Sequence, residues 1–134
     1  VKKSQEKANF YRQQRFNIYK AKADLGNKEA QVWVGNCFED GLGVKTSLEH
    51  AFRYYKLSAD QNCLRGIYHV ARCFEEGIGV PKSVENAIHY YQLAADRGYI
   101  FAMYGLAKYL LKQKYNEELA VHYLKLIIQQ RAEG

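Results

Sequence analysis

Hydrophobic and polar residues follow one another along this chain with a period close to that of an α-helix. In the segment 29–38, apolar residues recur three and four positions apart, at Ala30, Val34, Cys37 and Phe38. Side chains at this spacing share one face of a helix. A second apolar stripe follows after a loop and consists of Ala51, Tyr54, Tyr55, Leu57 and Ala59. The pattern therefore predicts two amphipathic helices that form a hairpin.

The same hairpin pattern returns after 36 residues. The loop that contains Gly41 and Gly43 recurs as the loop that contains Gly77 and Gly79. The second apolar stripe recurs at the same offset, as Ala87, Tyr90, Tyr91, Leu93 and Ala95. A fixed period of this length is typical of a solenoid, in which each unit buries its apolar face against its neighbours. We therefore predict an all-α fold, an α/α superhelical solenoid with about seven helices and no sheet.

The period divides the chain into four parts. Residues 27–62 and 63–98 are regular repeats, and residues 99–134 form an atypical terminal repeat with a shorter loop. Residues 1–26 are a flanking helix, either the second helix of a preceding repeat or an N-terminal cap. A small residue occupies one register in all three repeats, at Gly35, Ala71 and Ala107, which indicates close contact between helices.

The loops carry the residues that end one helix and begin the next. Gly41 and Gly77 are suited to the positive φ of a helix C-terminus, and Ser47 to the N-cap of the following helix. A side chain at positive φ costs roughly 1–2 kcal/mol. We therefore expect Gly77→Val to lower the melting temperature.

These residues resemble the Sel-one-like repeat (SLR) family, which is related to the tetratricopeptide repeats. The family motifs correspond here to Ala30-x-x-x-Val34-Gly35-x-x-Phe38, Gly77-Ile-Gly79-Val80-Pro81 and Ala87-x-x-Tyr90-Tyr91-x-x-Ala94-Ala95-x-x-Gly98. Lys45 departs from the loop proline, and Tyr54 and Tyr90 depart from a tryptophan. The resemblance implies a right-handed α-superhelix with a scaffold or adaptor role.

Charge, cysteine content and hydropathy narrow the class of protein. Residues 1–28 hold eight Lys or Arg and two acidic residues, so the net charge of +6 lies in this N-terminal segment, mostly on the flanking helix. The repeats are electrically balanced, which argues against nucleic acid as the partner.

The spacing of Cys37, Cys63 and Cys73 favours three free thiols and a reducing, cytoplasmic setting. No apolar run is long enough for membrane insertion, and the absence of an initiator Met suggests an excised domain of a larger multi-repeat protein.

Nothing in the sequence predicts catalysis, a metal or a cofactor. Gly77-Ile-Gly79 lacks the preceding strand and the third glycine of a dinucleotide-binding loop, so we interpret it as a turn. His69 and Cys73 lie four residues apart, as metal ligands can, but no spacing supplies further ligands. We expect a protein that is not an enzyme.

Residues that the repeat does not need for packing are the candidates for function. In related repeats the first helices line the concave face, and aromatic and Arg residues are enriched at protein interfaces. The candidate partner-binding residues are Val32, Trp33, Asn36, Arg65, Tyr68, Arg72, Phe101, Tyr104 and Lys108. The alternative, that some of the tyrosines only pack between repeats, stays open. We expect charge reversal at Arg72 and Lys108 to weaken binding with little loss of stability.

The leading hypothesis is a non-enzymatic protein–protein interaction module that binds a peptide or partner protein, preferably an acidic one, on its concave surface. The alternative is a structural or regulatory segment of a larger protein that stacks on further repeats and has no specific ligand in its groove.

Overall fold

The computed structural model describes residues 1–133, and within them the chain is all-α, as the periodicity predicts. The helices are α1 Lys2–Asp24, α2 Lys28–Asp40, α3 Leu48–Asp60, α4 Leu64–Glu76, α5 Val84–Ala95, α6 Ile100–Gln113 and α7 Glu117–Glu133. Seven helices without a strand in this range confirm the predicted fold class. None of these helices has both the length and the apolar character of a bilayer-spanning segment.

The helices stack in chain order. Each one packs against the next, so α2–α3, α4–α5 and α6–α7 are helix–turn–helix hairpins. In addition, α2 contacts α4 directly. The result is a helical solenoid in which α2, α4 and α6 are the first helices of successive hairpins.

The flanking helix α1 packs onto the first hairpin as α3 packs onto the second. The backbone of Gly43 lies against the carbonyl of Arg12 in α1, and the backbone of Gly79 lies against the carbonyl of Leu48 in α3. Arg12 and Leu48 are 36 residues apart, as are the two glycines. The helix α1 therefore holds the position that a second helix holds in the later hairpins.

The loop residues adopt the expected conformations. Gly41 and Gly77 end α2 and α4 with φ of 70° and 75°. The side chains of Ser47 and Ser83 cap α3 and α5 by accepting the backbone N–H three residues on, at 3.3 and 3.2 Å. In the shorter third loop, Lys114 ends α6 with φ of 52°, so a residue other than glycine adopts the left-handed conformation there.

Close contacts between helices occur where the sequence has small residues. Gly35, Ala71 and Ala107 are all buried. A Cβ on Gly35 would lie only 2.6 Å from Cδ1 of Tyr55, so glycine is required for that ring to pack. The small residue is therefore a packing requirement at Gly35, and Ala71 and Ala107 are fully buried at the same position of the next two hairpins.

One expectation about the core was wrong. Leu57 was placed in the buried stripe of α3, but it is 43% exposed, and the adjacent Ser58 is fully buried instead. The 3.6-residue period of the helix puts position 58 against the core. Burial of the serine hydroxyl is compensated because it donates a hydrogen bond to the Lys28 carbonyl at 2.9 Å.

The three cysteines are buried free thiols. Burial raises the pKa of Cys37 to about 11 and that of Cys73 to about 12, so both are protonated at neutral pH and react slowly. We expect thiol titration without reductant to report three groups in denatured protein and very slow modification of native protein. Detection of an intramolecular bridge by mass spectrometry would contradict this prediction.

Candidate functional site

The nine candidate residues all lie on α2, α4 and α6, but their exposure differs along the stack. On α2, Val32 is fully buried, whereas Trp33 and Asn36 are half-buried. On α4, Arg65 is exposed and Tyr68 and Arg72 are half-buried. On α6, all three candidates face solvent, namely Phe101, Tyr104 and Lys108. Exposure therefore increases toward the third hairpin.

At the N-terminal end, the candidates are covered by the protein itself. Val32 was expected on the solvent side, and this is wrong, because its side chain has no exposed surface. Trp33 packs against Tyr19 of α1 with ring centroids 4.5 Å apart, and the Arg15 guanidinium lies 5.3 Å from the indole centroid. These contacts occupy the faces with which Trp33 could bind a partner.

The middle of the surface is a polar network that joins three helices. The Tyr55 hydroxyl of α3 donates to Oε1 of Glu39 at 2.7 Å, and Oδ1 of Asn36 lies at the same distance from that hydroxyl. The other oxygen of Glu39, Oε2, accepts a bond of 3.2 Å from Nη2 of Arg72 in α4. Arg72 also reaches Oε2 of Glu76 at 3.1 Å. The ion pair of Glu39 with Arg72 therefore holds the first and second hairpins together, and Asn36 bonds within the first hairpin.

This network neutralises Arg72 and holds His69 uncharged. Burial opposes the charge on Arg72, but Glu39 and Glu76 outweigh it and raise the pKa of the guanidinium. Burial, with the positive charge of Arg72, lowers the pKa of His69 to about 4. The neutral imidazole stacks on Tyr55 with centroids 4.5 Å apart, and its Nδ1 accepts from Nη1 of Arg72 at 3.2 Å. The expectation that Arg72 is a free solvent-side charge is therefore wrong.

The C-terminal end carries an exposed aromatic patch, which we define as Tyr68, Tyr99, Phe101 and Tyr104. The ring of Tyr99 lies between residues of α4 and α6. Its centroid is 5.8 Å from that of Tyr68 in α4 and 5.6 Å from that of Phe101 in α6. Phe101 is 66% exposed and Tyr104 is 55% exposed. Large aromatic side chains this open to solvent are typical of a protein-binding surface.

Two basic residues flank the aromatic patch without a carboxylate partner. Within residues 1–133, neither Arg65 nor Lys108 lies within ion-pair distance of an acidic side chain. The Lys108 ammonium lies 5.7 Å from the centroid of the Tyr104 ring. Burial raises the pKa of Tyr99, and the nearby charge of Arg65 partly opposes this shift. The patch is therefore both aromatic and positively charged.

Comparison of the two repeat junctions explains why Lys108 stays available. Glu39 and Arg72 form an ion pair across the first junction, and Glu75 and Lys108 occupy the same two positions one repeat later. Glu75 accepts the Tyr91 hydroxyl at 2.5 Å, as Glu39 accepts that of Tyr55. The lysine, however, turns toward Tyr104 instead of the carboxylate.

His69 and Cys73 do not form a metal site within residues 1–133. Cys73 is fully buried, and His69 is engaged by Tyr55 and Arg72. No group of three or more His, Cys, Asp or Glu residues in the described part of the chain is placed to hold a metal ion.

Three consecutive segments of the chain match one family model, that of the Sel1 repeat, at residues 28–63, 64–99 and 100–130. The chain belongs to the Sel1 repeat family. Each matched segment covers one of the three hairpins. No curated protein is a significant match to the sequence.

Two solved structures share this fold. One is the crystal structure of c5321, a protective antigen of uropathogenic Escherichia coli strains that displays an SLR fold, with a TM-score of 0.82 at 23% identity. The other is a Sel1 repeat protein from Oxalobacter formigenes, with a TM-score of 0.80 at 24% identity. The matches cover 88% and 89% of this chain but only 26% and 35% of theirs. The likeness therefore shows the fold, and this chain spans a minor part of those proteins.

Sequence reasoning missed Tyr99 in the third Sel1 repeat. This residue precedes α6 at the position that Asn27 and Cys63 hold in the earlier repeats. An aromatic residue replaces smaller side chains at this repeat boundary, and that replacement was the sequence feature that could have identified Tyr99 as a candidate. Periodicity alone did not reveal it, because the residue lies outside the helical stripe.

Proposed function

We propose that this Sel1 repeat chain is a non-enzymatic interaction module that binds an acidic peptide or protein segment through the aromatic patch, with Arg65 and Lys108 contributing the charge. Sel1 repeats are commonly protein-interaction modules. The observation that supports this site is the coincidence of open aromatic rings with unpaired basic residues on α4 and α6.

The proposal concentrates the binding surface on the second and third Sel1 repeats. Trp33, Asn36 and Arg72 are engaged in contacts within the protein. Their contacts join α1, the first hairpin and the second hairpin, so these three side chains act in packing. An acidic partner gains from the patch because Lys108 and Arg65 need not break an ion pair to bind it.

Peptides selected from a random display library on the native chain provide the test. We expect the selected peptides to be rich in Asp or Glu. We expect Phe101→Ala and Tyr104→Ala each to raise their dissociation constant more than about ten-fold, since exposed aromatic anchors can contribute about 2 kcal/mol. Lys108→Glu should weaken binding and reduce its dependence on salt concentration.

Two matched controls identify the surface. Ile18→Ala removes a similarly exposed apolar side chain from α1, at 58% exposure, and should leave binding unchanged. Reversal of charge at Lys2, Lys3 and Lys7 removes basic residues far from the patch in the sequence. If the patch variants bind normally and the changes on α1 abolish binding, the patch is not the site. If the native chain selects no peptide, the structural or regulatory role is favoured.

A further inference from the structure

The last helix, α7, has an uncovered face with its own apolar stripe. The apolar residues are Val121, Leu124 and Ile128, and Glu117 and Arg131 continue the same four- and three-residue spacing at the two ends. Ile128 is 67% exposed and Val121 is 43% exposed. The same face of α3 is covered by the next hairpin, since Phe52 contacts Phe74 at 5.7 Å and Tyr55 stacks on His69.

A further Sel1 repeat packed like the others does not fit this face. At the three junctions inside the stack, the corresponding position is a buried alanine, at Ala23, Ala59 and Ala95. The packing is tight, because a Cβ on Gly66 would lie 2.8 Å from the backbone N of Ala59. On α7 this position holds Ile128, and its larger side chain would keep a following first helix from approaching as closely as α4 approaches α3.

The backbone of α7 also departs from the repeat. The second helices α1, α3 and α5 are followed by a turn residue with positive φ, at Gly26, Asn62 and Gly98. The equivalent residue on α7 is Arg131, which is still helical, and the helix continues to Glu133. At this position α7 therefore lacks the turn that follows each of the earlier second helices.

We propose that this face of α7 binds the same face of a second copy of the chain, with the two helices antiparallel. The stripe is complementary to itself in that orientation. A two-fold axis near Leu124 brings Val121 opposite Ile128 of the other copy, and Glu117 opposite Arg131, twice each. A two-fold interface requires such self-complementarity. The four-three spacing of apolar residues is that of a helix–helix seam.

Sedimentation equilibrium of the 134-residue chain tests this pairing. We expect a concentration-dependent increase from the 15.6 kDa of one chain to twice that mass. Ile128→Asp should raise the dimer dissociation constant more than about ten-fold, because it puts a charge against the apolar Val121 of the other copy. Ile18→Asp, at a similarly exposed position on α1, should leave the dissociation constant unchanged.

Charge exchange gives a second test that does not depend on loss of an apolar residue. Glu117→Arg and Arg131→Glu should each weaken self-association, since like charges then face one another at both ends of the seam. An equimolar mixture of the two variants should associate again as a heterodimer, and the double variant should form a homodimer. Circular dichroism checks that each variant stays helical.

Three results would overturn the proposal. The first is a chain that remains monomeric at every concentration. The second is a dimer that Ile128→Asp leaves intact, because the interface would then lie elsewhere, for example on the aromatic patch. The third is a mixture of the two charge variants that associates no better than either alone.

Discussion

Gly79→Ala is expected to lower the free energy of unfolding by about 3 kcal/mol or more. Gly79 has a φ of 71°, at which a side chain costs roughly 1–2 kcal/mol. In addition, a Cβ there would overlap the carbonyl of Leu48 and lie 2.9 Å from Cβ of Phe52, both in α3. The loop or the helix must shift, and overpacking of this kind costs about 1–3 kcal/mol more. Thermal unfolding followed by circular dichroism should show a melting temperature about 10 °C lower.

Gly77→Ala is the matched control, because it separates backbone strain from steric overlap. Gly77 has nearly the same φ, 75°, but its nearest neighbour would be the flexible side chain of Lys82, 3.2 Å from the new Cβ. We expect this variant to lose only about 1–2 kcal/mol. Equal losses at the two positions would contradict the added cost of steric overlap, because they would show that the loop moves away from α3 without loss of stability.

The fold was predictable because the same sequence features recur in successive repeats and support the same structure each time. The helical period, the turn glycines and the small register of Gly35, Ala71 and Ala107 agree in two or three copies. Leu57 and Ser58 show the limit of this reasoning. Hydrophobicity favoured the leucine for the core, but the helical period buried the serine, which a bond to the Lys28 carbonyl satisfies.

The candidate site was less predictable, because equivalent positions differ in what covers them. Val32 and Tyr104 share one register, yet the first is fully buried and the second is 55% exposed. The repeat fixes the position of the Cβ atom, whereas neighbours that differ between repeats decide the exposure. Ion pairs show the same limit. The 33-residue spacing of Glu39 and Arg72 recurs in Glu75 and Lys108, and only the first pair forms an ion pair.

His69 is expected to make the protein less stable in acid. Its pKa is about 4 in the folded protein, against an ordinary value of about 6.5. Between these two pH values the unfolded chain binds a proton that the folded protein does not, so the free energy of unfolding falls as the pH is lowered through this window. A shift of this size corresponds to at most about 3 kcal/mol, and partial exposure of the ring reduces it to about 2 kcal/mol.

Urea unfolding followed by the fluorescence of Trp33 measures this contribution at a series of pH values. The charge of Glu39 also acts on His69, so the decisive quantity is the difference in the free energy of unfolding between the native chain and His69→Gln. Glutamine keeps an acceptor for Arg72 but does not titrate. We expect this variant to lose about 2 kcal/mol less than the native chain between about pH 7 and pH 4. The same substitution at the exposed His122 is the matched control for loss of an imidazole. Parallel curves for the native chain and His69→Gln would mean that the imidazole accepts a proton in the folded state. The network of Tyr55, Glu39 and Arg72 would then hold a charged histidine at the junction between the first two hairpins.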